Sequence, residues 1–73
     1  MDREAYNRTT VELLVVAAER LSATIDWQID SDGEDAQLVY KILRTLGVAV
    51  GRAIPQPEDF AAARSHVKLM WSR

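Results

Sequence analysis

Leu46-Gly47-Val48-Ala49-Val50-Gly51 lies past the middle of the chain and admits two readings. As a turn, it separates two short helices. As helix, it continues an apolar ladder of Val39, Leu43, Leu46, Val50 and Ala53. Interior glycine disfavours helix by about 1 kcal/mol relative to alanine. Burying one Leu or Val contributes on the order of 1.5–3 kcal/mol, and several such residues lie here. Where a partner surface covers the ladder, burial outweighs the glycines, and the stretch is predicted to be the middle of one helix. Gly47 and Gly51 then fall one turn apart at the edge of the apolar face, where a Gly-x-x-x-Gly pair lets another backbone come close.

Working outward, this helix is predicted over about 32–54. Asp30-Ser31-Asp32-Gly33 favours a turn, because these side chains compete for their own backbone. Ser31-x-x-Glu34 fits a capping box, and Glu34 and Asp35 suit the positive end of the helix dipole. Ala36, Val39, Ile42, Leu43, Leu46, Ala49, Val50, Ala53 and Ile54 share one face, and Pro55 ends the run.

Upstream, Thr9-x-x-Glu12 fits another capping box and opens a helix over about 9–29, with residues 2–8 able to add a turn. Val11, Leu14, Ala18, Leu21 and Ile25 alternate intervals of three and four, the spacing of a buried seam. Ile29 extends that stripe. A second, looser stripe carries Tyr6, Leu13, Val16, Ala17, Ala23 and Trp27. Downstream, Pro57 suits the first position of a third helix over 57–72, with Glu58 and Asp59 in its first turn. Phe60, Ala63, Val67 and Met70 continue the three-four spacing. Trp71 lies beside them and Leu69 on the far side.

Residues 42–54 also resemble a DNA-binding helix-turn-helix, with Leu46-Gly47-Val48 as the turn and 49–54 as the recognition helix. Val50, Gly51, Arg52 and Ala53 offer base edges one arginine, whereas direct readout uses Arg, Lys, Asn or Gln at several positions. A dimeric DNA-binding regulator is therefore the alternative reading. The net charge of −2 and pI near 5.2 supply no global attraction to nucleic acid.

Seventy-three residues make one helical domain, 1–73, with a thin core. Cysteine is absent, which removes disulfides and thiolate metal sites. Self-association is the remaining way to bury more surface, and a homodimer is expected. No apolar run approaches the roughly 20 residues that span a membrane. Met1-Asp2-Arg3-Glu4 is mixed in charge, which argues against a secretory signal and makes the cytoplasm the expected location.

Candidate chemistry is sparse. Asp26, Asp30, Asp32, Glu34 and Asp35 form an acidic hinge without the spacing of a calcium loop. The hinge reads as helix-capping, or as an acidic docking surface for a basic partner. His66, the single histidine, has no partner placed for a triad or metal site and is expected to face solvent. No cofactor, metal or enzymatic activity is expected. Arg64, Lys68 and Arg73 make a basic tail that could meet the acidic hinge of a second copy.

The sequence therefore predicts an all-α protein: an antiparallel helical hairpin plus a shorter C-terminal helix, as a helix-bundle dimer. The expected function is non-enzymatic binding to another protein, as adaptor or inhibitor. Tyr6, Leu13, Val16, Trp27, Tyr40, Gly47, Gly51, Leu69 and Trp71 are the candidate contact residues. In size and style the chain resembles accessory proteins of phages and mobile elements that block a host protein.

Overall fold

The computed structural model describes residues 3–51 and 53–71, with side chains described from 8 to 68 apart from 52. Three helices carry the fold: α1 (Arg3–Thr24), α2 (Glu34–Thr45) and α3 (Pro57–Trp71). The described residues hold no strand. The all-α helical bundle is as the sequence predicts, but α3, with 15 residues, is longer than α2, with 12, because α2 stops early. The helix boundaries are not as predicted, and each departure has a local cause.

α1 begins at Arg3, so Thr9 is interior to a helix rather than its cap. It ends at Thr24, short of the expected 29. The Thr24 hydroxyl donates to the Leu21 carbonyl at 2.8 Å, and Trp27 Nε1–H donates to the Ser22 carbonyl at 3.0 Å. These side chains take carbonyls at the end of the helix. Asp26 then accepts the Gln28 amide on Oδ1 at 3.1 Å, an Asx turn, and its own carbonyl accepts Asp30 N–H at 2.7 Å. Ile29 is exposed and extends no stripe.

α2 starts on Gly33, with extended φ and ψ of −73° and 170° and no side-chain cap. The Ser31-x-x-Glu34 capping box does not form. The Gly33 amide bonds to the Asp30 carbonyl at 2.9 Å, which closes the turn ahead of the helix.

The opening stretch is a turn. α2 stops at Thr45, and Gly47 adopts φ +87°. Val48 N–H reaches the Leu43 carbonyl at 2.9 Å and Gly47 N–H reaches the Arg44 carbonyl at 3.0 Å. Those two bonds are a Schellman motif with glycine at its left-handed position. Its usual apolar contact is present as well, since Val48 and Leu43 belong to one core cluster. This explains why the ladder argument fails beyond Leu46. Val48 is buried and Val50 is packed against the core without a helix, so the turn forgoes none of that burial. Gly51 is also left-handed, at φ +59°. The expected glycine notch in a helix is therefore absent, and so is a recognition helix at 49–54: residues 48–51 and 53–56 are non-helical.

α3 opens as predicted. Pro57 is its first residue, and Asp59 Oδ2 accepts the Gln56 amide at 2.7 Å, tying the first turn to the residue before it.

The core joins Val15 and Ala18 of α1, Val39 and Leu43 of α2, Leu46 and Val48 of the turn, and Phe60, Ala63 and Val67 of α3. The buried line of α1 runs through Val15, Ala18 and Ser22 rather than Leu14, Leu21 and Ile25. α1 meets both other helices. The residues between its two apolar stripes are covered from both sides, and Leu14 is left at the outer edge of the α2 contact.

Candidate protein-binding surface

α3 packs chiefly on α1, and α1 and α2 form the hairpin, so the outer side of that hairpin is left open. There Val11 and Leu14 of α1 face Leu38, Lys41, Ile42 and Thr45 of α2, with Leu46 at the end. They line a groove of about 320 Å³ that is almost wholly apolar. Helical spacing builds it: 11 and 14 are three apart, and 38, 41, 42 and 45 fall within two turns on one side of α2. Leu14 is 40% exposed and Leu38 48%. Two of the five large exposed apolar side chains, Leu14 and Leu38, thus line one groove; Leu13, Ile29 and Ile54 do not. Scattered single leucines need no explanation, but a contiguous patch marks an interaction surface.

Among the sequence-predicted contact residues, Leu13 is exposed on α1 but does not line the groove. Val16 is half-buried on the other side of α1, in a recess with Glu12, Arg64 and Lys68. Trp27 and Tyr40 are used by the fold. Their rings lie 5.7 Å apart at 51°, Trp27 is half-buried, and Tyr40 is buried with its hydroxyl lacking a hydrogen-bond partner. Gly47 and Gly51 are turn residues. The side chains of Tyr6, Leu69 and Trp71 lie outside the described residues. Leu38 and Leu14 were not among the contact residues read from sequence. Leu38 falls off the ladder of Val39, Ile42 and Leu43, and a large apolar residue at such a position is the signal that could have found it.

The acidic hinge is spread along turns rather than focused. Asp26, Asp30, Asp32, Glu34 and Asp35 are all exposed, and Asp30, Glu34 and Asp35 border a recess with Thr24, Ile25 and Gly33. Among the described residues no group of three or more His, Asp or Glu is placed to hold a metal ion. The basic tail is partly committed within the chain, because Arg64 donates to Glu19 Oε1 at 2.6 Å. Arg73 lies outside the described residues.

His66 does not face solvent as expected. It is half-buried, with Nδ1 2.6 Å from the Leu46 carbonyl oxygen. A carbonyl only accepts, so Nδ1 carries the proton in this contact. The ring therefore ties α3 to the turn that ends α2. Trp27 also borders a further recess, of about 370 Å³ and more polar than the groove, with Ser22, Ala23, Pro55, Pro57 and Phe60.

No family model, no curated protein and no solved structure matches the chain. Among the described residues no helix is long and apolar enough to cross a membrane.

Proposed function

We propose that this chain is a small, non-enzymatic, cytoplasmic protein-binding regulator, an adaptor or inhibitor that works through the outer face of its α1–α2 hairpin. One observation carries the reading: an apolar groove lined by exposed Leu14 and Leu38 on an otherwise ordinary helical surface. An amphipathic helix fits such a groove by placing side chains at intervals of three and four into it. Self-association through the same helices belongs to this reading, and so does blocking a host protein in the manner of phage or mobile-element accessory proteins. The alternative of DNA recognition by residues 42–54 loses its geometric basis, since no helix follows the Gly47 turn before Pro57.

A photoreactive amino acid at position 38 tests the reading in the cell that makes the protein. Cross-links to protein should form there and be absent from position 65, which is exposed on α3 and outside the groove. Equal yields at both positions, or none at 38, would remove the groove from consideration.

A further inference from the structure

The groove's occupant can be argued from charge. On α1, the charged residues bordering the described recesses lie on the α3 side: Glu19 pairs with Arg64, and Glu12 borders the recess that holds Arg64 and Lys68. The groove side of α1 is lined by Val11 and Leu14 and presents no charge of its own. On α2, Glu34, Leu38 and Lys41 fall on one exposed stripe at intervals of four and three. That stripe holds one acid and one base, nearly equidistant from a central leucine. A foreign partner has no need of this arrangement. A two-fold interface does, because in it residue i meets j and j meets i.

We propose that the occupant is a second copy of this chain. The two α2 helices lie antiparallel with Leu38 near the two-fold axis, and Glu34 of each faces Lys41 of its partner. Leu14 of both copies closes over the apolar centre, giving a four-helix core from two hairpins.

The inference rests on reading the groove as a protein-binding surface, and its test separates the two claims. Sedimentation equilibrium at low salt should find a dimer. Glu34→Lys and Lys41→Glu should each weaken it by about ten-fold, because two attractive pairs become two repulsive ones. The double variant E34K/K41E should recover wild-type pairing. An equimolar mixture of the two single variants should form mixed dimers in preference to either homodimer. Leu38→Glu should weaken association by about 100-fold, with helicity by circular dichroism unchanged because the residue is half-exposed. A dimer indifferent to all four variants overturns this pairing. A wild-type monomer at about 1 mM overturns self-pairing altogether. In that case, cross-links from position 38 to another protein keep the protein-binding reading standing, and their absence ends both.

Discussion

Replacing Gly47 by alanine probes the turn on which the fold depends. Two penalties add at this position. The left-handed conformation, φ +87°, costs an L-residue about 1–2 kcal/mol. An added Cβ would also stand 2.6 Å from His66 Nδ1 and 3.0 Å from its Cε1. The imidazole must then retreat from the Leu46 carbonyl, and a hydrogen bond of that kind contributes about 1 kcal/mol. Against these, alanine restricts the unfolded chain and returns about 0.4–1 kcal/mol. The net expectation is a loss of about 1.5–2 kcal/mol, or about 10 °C in melting temperature for a domain of this size. Urea and thermal unfolding followed by circular dichroism read it directly. In a His66→Ala background the same substitution should cost only the backbone strain, about 0.5–1 kcal/mol. Gly51→Ala, left-handed but with nothing within 4 Å of the added Cβ, should behave like that second case. The sign decides the matter: in a continuous helix Gly47→Ala would stabilise by about 1 kcal/mol. A raised or unchanged midpoint refutes the reasoning.

Other outcomes follow from single contacts. Tyr40→Phe removes a buried hydroxyl that has no partner, so stability should hold or rise by up to about 1 kcal/mol; a clear loss in urea would mean the hydroxyl is bonded. Ser31→Ala should change the urea midpoint by less than the equivalent of about 0.5 kcal/mol, because α2 has no side-chain cap; a loss near 1 kcal/mol would restore the capping box. Glu19→Gln breaks the pair with Arg64, whose two side chains are 40% and 41% exposed. The cost should be below about 1 kcal/mol and should vanish in high salt. Leu43→Ala, at a fully buried position, should cost about 2–5 kcal/mol and leave little native signal in a thermal melt.

The number of helices and their order were legible because apolar spacing and proline punctuation are strong local signals. Pro57 and Asp59 open α3 as the sequence suggests. The ends of α1 and α2 were not legible. Thr9 and Ser31 carry capping patterns, but a helix uses a cap only if the chain before it turns away, and Arg3 to Arg8 simply continue α1. Gly47-Val48 holds the actual stop, a glycine followed by an apolar residue that folds back on Leu43. That signal is local, and the long ladder masked it. The groove was hidden for a different reason. Leu14 sits on the predicted seam and Leu38 stands alone off the ladder, and only the placement of α3 decides which face of the hairpin stays open. Trp27 and Tyr40 show the converse, since large rings that suggest an interface are spent on each other and on the end of α1.

The chain contains no cysteine, so a single introduced thiol reports on the groove without interference. If two copies pair with Leu38 near their two-fold axis, a Leu38→Cys variant should oxidise rapidly to a covalent dimer, because opposed positions near the axis come within disulfide reach, about 4.4–6.8 Å between Cα atoms. The same substitution at Ser65, exposed on α3 and outside the groove, should leave the chain monomeric on a non-reducing gel. Rapid cross-linking at 38 alone is the expected result. Equal, slow cross-linking at both positions would contradict it.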